Sequence, residues 1–262
     1  MILQKIVENK REELEQQKRI LPLTELRQML ADMPATLDFE NSIRGHTCAV
    51  IAEVKRSSPS KGRIREDFDP VEIARTYELY GASALSVLTE RRFFEGHNVY
   101  VPRIRRAVRL PILRKDFIVD PYQISETRVL GADALLLIAR ILEDGQLRDF
   151  MSLSSELGLA CLVEVHDEAD MEKAITSGAR IVGINNRDLT TFRTDLGVSM
   201  RLAPLIPKNI TRVSESGIGT RREVVQLVSE GFHAILVGEV LMRQQNIGEK
   251  LRELLGREPE KG

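Results

Sequence analysis

Tryptophan is absent from the sequence, cysteine occurs twice, and no apolar run approaches the ~18 residues a membrane-spanning helix needs. The missing run excludes a transmembrane helix. Cys48 and Cys161 sit inside apolar runs and have no partners at metal-site spacing. They read as small buried hydrophobes in a reducing compartment, with a cysteine nucleophile as the sharper alternative. Net charge is missing as well: 38 basic and 39 acidic residues leave −1. That balance argues against nucleic acid or an anionic membrane surface as the main partner. His46, His97, His166 and His233 show no paired ligand spacing, and the nearest approach to a metal cluster is His166 with Glu164 and Glu168. No metal or other cofactor is expected. The N-terminus, MILQKIVENKREELEQQ, mixes dense acid and base and is neither a secretory signal nor a typical transit peptide. A cytoplasmic protein is the expectation.

What is present is periodic. Residues 2–18 place Ile2, Leu3, Ile6, Val7 and Leu14 near helical spacing, and a second helix starts at Pro22. Pro34 and Asp38 to Gly45 read as a loop. Residues 1–45 therefore form a helical extension packed on a main body spanning 46–262, the two making a single structural domain. Packing and a lid over a site are both open roles for it.

From Cys48 onward, apolar runs of about six residues alternate with amphipathic stretches. The runs are Cys48–Lys55, Ala84–Thr89, Pro111–Lys115, Ala134–Ala139, Cys161–Val165, Ile181–Asn185, Ile210–Glu215 and Ala234–Gly238. Helical patterns lie between them at Pro70–Tyr80, Val99–Val108, Pro121–Leu130, Glu143–Leu157, Glu168–Ser177, Leu196–Leu205 and Arg221–Glu230, and Gly248–Leu255 closes the set. Strands apolar enough to be buried on both faces imply a parallel sheet with helices outside. Gly81, Gly131, Gly178 and Gly231 recur about fifty residues apart, each ending a helix and introducing an even-numbered strand. The count fits an α/β fold of the (β/α)8 TIM-barrel type. A Rossmann-like sheet is the rival, but no GxGxxG turn follows any strand.

Such barrels carry their chemistry where the strands end. Strand 1 ends in Glu53-Val54-Lys55, strand 3 in Arg114-Lys115-Asp116, strand 5 in Glu164-Val165-His166, strand 6 in Asn185-Asn186-Arg187 and strand 7 in Glu215-Ser216. One such charge is ordinary at a loop start. Lysines and glutamates converging on one mouth shift each other's proton affinities and suit general acid–base work. After strand 7, Ser216-Gly217-Ile218-Gly219 leads to Thr220-Arg221-Arg222-Glu223, a capping box opening a helix. With Gly238 after strand 8 and the serines Ser57, Ser58 and Ser60 after strand 1, these turns suit phosphate. Phe93, Phe94 and Phe117 are core residues by default, or the wall of an apolar substrate pocket. The basic run from Lys55 to Arg65 lacks the interleaved aromatics of an RNA site.

IAEVKRSSPS (51–60), LSVLTE (85–90), LRKDFI (113–118), LVEVH (162–166), GINNRDL (183–189) and SESGI (214–218) together resemble the indole-3-glycerol-phosphate synthase family, in order through the whole barrel. The resemblance implies closure of a carboxyphenylamino-deoxyribulose phosphate to indole-glycerol phosphate with loss of carbon dioxide and water, in tryptophan biosynthesis. It implies that Lys115 is the general acid on the ketone oxygen and that Glu164 stabilises cationic ring intermediates. Glu53 and Lys55 would be a coupled pair serving dehydration. Asn185 and Glu215 would orient substrate and lysines, Arg187 would suit the carboxylate, and Phe94 and Phe117 would flank the aryl ring. Ser58, Ser216, Gly217 and Gly238 would hold the phosphate. A serine can follow the strand 8 glycine in this family; here it is Glu239, which is expected to point away and leave only backbone contact. A phosphorylated small molecule is thus the expected partner, for a monomer or weak homodimer. The alternatives are another phosphate-binding barrel, such as a phosphoribosylanthranilate isomerase, and a non-catalytic phosphometabolite binder.

Overall fold

The computed structural model describes residues 2–45, 48–188 and 190–257; Met1, His46, Thr47, Leu189 and the last five residues lie outside the described residues. Eight parallel strands close into a barrel: β1 (Ala49–Val54), β2 (Ala84–Leu88), β3 (Ile112–Lys115), β4 (Ala134–Ile138), β5 (Ala160–Val165), β6 (Ile181–Asn185), β7 (Thr211–Glu215) and β8 (Ala234–Val237). β8 returns to β1 with Ala234 opposite Ala49, which closes the ring. This is the TIM barrel that the alternation predicts.

Strand alternation sorts the core into two shells. Ile51, Leu113, Leu136, Leu162, Val213 and Leu236 fill the barrel interior. Their neighbours, among them Val50, Leu85, Ile112, Val163 and Ile235, meet the surrounding helices. A Leu→Ala change in either shell costs about 2–5 kcal/mol, because such interiors leave little room to collapse.

Three helices precede the barrel: α1 (Ile2–Ile20), α2 (Leu23–Leu30) and α3 (Phe39–Arg44). The last was expected as loop. Six residues are too few to show a period, but Asp38 caps the Asn41 amide, and Phe39 and Ile43, one turn apart, join the interior cluster. Arg44 reaches the Asn209 carbonyl and Glu40 accepts from Thr211 at the start of β7, so α3 plugs the barrel where its strands begin. α2 buries Leu26 beside Leu14 and Tyr122 on the flank. α1 reaches the opposite end.

Around the barrel follow α4 (Pro70–Leu79), α5 (Tyr100–Arg105), α6 (Pro121–Leu130), α7 (Asp144–Glu156), α8 (Glu168–Thr176), α9 (Gly197–Leu202), α10 (Arg221–Ser229), α11 (Glu239–Met242) and α12 (Ile247–Leu255). Starts are chemically specified. Asp69 and Asp120 cap α4 and α6 just before Pro70 and Pro121, and Thr220 forms the expected capping box with Glu223. The repeat glycines end their helices with φ between 81° and 91°. Two features had no sequence signal: the one-turn α11, and a small hairpin pairing Ser57–Ser58 with Gly62–Arg63 after β1.

Candidate active site

Residue parity decides which strand-end side chains meet. Counting in twos from the interior residues Ile51, Leu113, Leu162, Ile181, Val213 and Leu236 leads to Glu53, Lys115, Glu164, Gly183 and Asn185, Glu215 and Gly238. Arg114 has the opposite parity and turns outward, where it pairs with Glu126 at 2.6 Å. Apart from Gly183, the inward set lines a cavity of about 770 Å³ at the strand ends. Lys55, Ser58, Phe94, Phe117, Arg187, Ser216 and Gly217 line the same cavity, whereas Phe93 and Ser57, also considered from the sequence, are not among its lining residues.

At its floor, Lys115 Nζ lies 3.0 Å from Glu164 Oε2 and 2.5 Å from Glu215 Oε2. Register sets Asn185 beside Glu215. Lys55 Nζ stands 2.5 Å from Glu53 Oε2. One buried cation between two carboxylates leaves a surplus negative charge, and burial makes that expensive. Burial opposes ionisation of Glu164, but Lys115 and His166 outweigh it and hold this carboxyl well below the usual range. Glu215 goes the other way: burial pushes it up, Lys115 opposes, and the negative Glu164 and Glu53 add to the rise. Burial alone would weaken the Lys115 ammonium, yet Glu215, Glu164 and Glu53 raise its proton affinity far above an ordinary lysine. The ligand-free site therefore holds a locked ammonium, an ionised Glu164, and in Glu215 the carboxyl readiest to keep a proton.

Two glycines make room for these carboxylates. A Cβ on Gly183 would meet Glu215 Oε1 at 2.2 Å, and one on Gly238 would meet Glu53 Oε2 at 2.3 Å. Gly183 was not singled out from the sequence, because its partner lies a strand away.

An apolar wall stands over the floor. The Phe94 and Phe117 rings are 6.1 Å apart and tilted by 40°. Ile2, Leu3 and Ile6 of α1 and Ile138 of β4 extend the wall. Two buried carboxylates hold the rings. Glu90 accepts the amides of Phe93 and Phe94, and Asp116 accepts that of Phe117. Lys10, buried in α1, reaches Asp116 at 3.0 Å. A lysine in a charge-rich helix gives no hint of this role.

The polar side is a turn. Ser216 adopts φ 67°, a left-handed conformation rare for a residue with a side chain, and Gly217 follows at 77°. Buried Asn186 locks the turn by donating to the Ser214 hydroxyl and the Glu215 and Ser216 carbonyls. The amides of Gly219 and Thr220 both donate to Glu223 at 2.8 Å, so the start of α10 already carries its own anion. The Ser216–Gly217 turn, Gly238 and Ser58 line the cavity beside it.

Glu239 does not point away as expected. Its side chain lines the cavity and pairs with Arg187 at 3.1 Å and Arg243 at 3.2 Å, which offsets the cost of a carboxylate in this corner. The trio weighed as a metal cluster also separates: His166 lies between Glu164 (3.4 Å) and Asp170 (3.5 Å), while Glu168 pairs outside with Arg201. Burial pushes the Cys48 and Cys161 thiols up to about 11, against a nucleophilic role.

Residues 3–254 match the family model described as indole-3-glycerol phosphate synthase. An indole-3-glycerol phosphate synthase of Dehalococcoides mccartyi (strain CBDB1) is 50% identical over 259 residues, covering 97% of this chain and 100% of that one. Another from Caldanaerobacter subterraneus subsp. tengcongensis is 49% identical over 243 residues, covering 93% and 94%. Among solved structures, thiamine phosphate pyrophosphorylase from Pyrococcus furiosus aligns with a TM-score of 0.63 at 15% identity, over 84% of this chain and 96% of that one. A mutant tryptophan synthase α-subunit from the same organism aligns at 0.60 and 15%, over 79% and 98%. At such identity these structures speak for the barrel alone.

Proposed function

The chain belongs to the indole-3-glycerol phosphate synthase family, and from that premise we propose how its barrel mouth carries the reaction. The activity is ring closure of 1-(2-carboxyphenylamino)-1-deoxyribulose 5-phosphate to indole-3-glycerol phosphate, with loss of carbon dioxide and water, in tryptophan biosynthesis. The observation that supports the assignment of roles is Lys115 between Glu164 and Glu215, with an aromatic wall on one side and an anion turn on the other.

The phosphate rests on the Ser216–Gly217 turn with Ser58 and the Gly238 backbone. The aryl ring lies along Phe94 and Phe117, and its carboxylate meets Arg187. The aryl carbon bearing that carboxylate attacks the ketone carbon while Lys115 gives a proton to the ketone oxygen, leaving a hydroxyl. An ammonium clamped by two carboxylates is a weak acid; proton uptake by Glu215 removes one of those charges and makes Lys115 a stronger one. Glu164 stays ionised and faces the cationic ring. Loss of carbon dioxide returns the bonding pair to the ring. The hydroxyl then leaves as water, with the Glu53–Lys55 pair handling the proton exchange, while Asn185 holds the alignment beside Glu215.

The absence of tryptophan makes the test direct, because an indole product fluoresces over a tyrosine and phenylalanine background. Folded protein given the aminodeoxyribulose substrate, without added metal, should yield a growing indole signal. No indole product sinks the activity, and abolition by a chelator sinks the metal-free account. The reading takes residues 1–45 as a helical extension whose first helix is a wall of the site. It also takes the enzyme as cytoplasmic, and as a monomer or weak homodimer that sedimentation would resolve. No helix among the described residues is long and apolar enough to cross a membrane.

A further inference from the structure

Arg187 is already occupied. Its Nη2 meets Glu239 Oε2 at 3.1 Å, and its Nη1 meets the Ser60 hydroxyl at 3.2 Å and the Phe192 carbonyl at 3.3 Å. Glu239 is held in turn by Arg243, whose Nε lies 3.2 Å from Oε1. These contacts tie the loops after β1 and β6 to the start of α11 across the rim of the cavity. Among the described residues, Glu239 is the carboxylate that pairs with Arg187. Its carboxylate lies at the rim of a cavity that must accept a phosphate and a carboxylate together.

We propose that Glu239 is a specificity-determining residue that acts as an exchangeable internal carboxylate, yielding Arg187 to the substrate carboxylate and taking it back when that carboxylate leaves as carbon dioxide. The inference rests on the reading that Arg187 receives the substrate carboxylate. Carboxylate for carboxylate is an even exchange at the guanidinium, since both can accept its paired N–H donors. Arg243 keeps the displaced Glu239 near the rim, so it is not stranded. Once ring closure and decarboxylation are complete, the ligand retains its phosphate but has no group to compete for Arg187. Glu239 then re-pairs, and the grip on product is weaker than the grip on substrate. The fourfold arrangement of Ser60, Arg187, Glu239 and Arg243 thus discriminates by the presence of the carboxylate, separately from the phosphate turn.

The test is calorimetric and needs no turnover. Its probes are the substrate with its ketone reduced to an alcohol, which keeps both anions and cannot cyclise, and indole-3-glycerol phosphate. Glu239→Gln removes the competing charge and keeps the side-chain size. It should tighten the reduced substrate about five-fold, within the range of a partly exposed ion pair, and leave product affinity within about two-fold. In an Arg187→Gln background the same change should do nothing to either ligand. Equal tightening of both ligands would make Glu239 a general repeller of phosphate and overturn the proposal. Weaker or unchanged binding of the reduced substrate would overturn it too, as would a Glu239→Gln effect that persists without Arg187. Failure of the family activity would show separately, as no indole product from the unaltered protein.

Discussion

Glu215 turns one carboxylate oxygen to Lys115 at 2.5 Å and buries the other, without a hydrogen-bond partner among the described residues, where a side chain on Gly183 would stand. A carboxylate held this way is oriented by what it cannot avoid as much as by what it binds. Gly183→Ala would place a methyl group 2.2 Å from Glu215 Oε1 and drive the carboxylate off Lys115. Overpacking of this kind costs about 1–3 kcal/mol, and a catalytic group moved by about an ångström can cost on the order of a hundred-fold in rate. The variant should remain folded by circular dichroism while kcat falls far more than KM rises. An alanine variant with unchanged kcat would mean that Glu215 is not needed where it sits.

Lys115→Met tests the acid itself. Loss of a positioned general acid typically costs 10²–10⁴-fold, so kcat should fall by about that range while substrate affinity is largely kept. The variant leaves Glu164 and Glu215 facing each other without their cation, so each should take up protons more readily. Single-turnover measurements with separate binding titrations check this, and unchanged turnover would put the acid elsewhere.

The barrel was legible because its strands are largely buried on both faces and most of its longer helices are capped by local chemistry, signals carried within a few residues. Glu53, Lys115, Glu164, Asn185 and Glu215 were legible because strand parity projects them inward from the interior row. What could not be read at the site has one physical cause in three cases: a partner distant along the chain. Gly183 matters because of Glu215, Lys10 because of Asp116, and Glu239 because of Arg187. The same holds for α3, whose six residues become a helix when Phe39 and Ile43 find the barrel interior.

The raised proton affinity of Glu215 has a thermodynamic consequence of fixed sign. The native protein binds this proton more tightly than the unfolded chain does, so the contribution is full below the ordinary glutamate range near pH 4.3 and is lost as pH rises toward neutrality. Glu164, with its affinity lowered, works in the opposite sense, contributing above the ordinary range and losing its effect in acid. Urea unfolding of the ligand-free protein from pH 4 upward should therefore show the stability difference between wild type and Glu215→Gln shrinking as pH rises. A difference that grows with pH would mean that Glu215 is an ordinary ionised partner of Lys115.

Lys10 offers the clearest way to ask what α1 does. Its ammonium lies 3.0 Å from both Glu13 and Asp116, and the proton affinity of Asp116 is lowered: burial opposes ionisation, but Lys10 and Arg114 outweigh it. Lys10→Met keeps much of the side chain's bulk and removes the cation, leaving Asp116 with Arg114 and the Thr89 hydroxyl. Breaking a buried pair from one side costs about 3–5 kcal/mol, and the surviving partners should keep the loss toward the lower end. Because Asp116 also holds the Phe117 amide and α1 carries Ile2, Leu3 and Ile6 into the cavity, the damage should spread to the aromatic wall. KM should rise with kcat changing less, and the loss of stability should be greatest above the ordinary aspartate range, where Asp116 is charged in the unfolded chain as well. If α1 were only packing, Lys10→Met would lower the melting temperature and leave KM where it was.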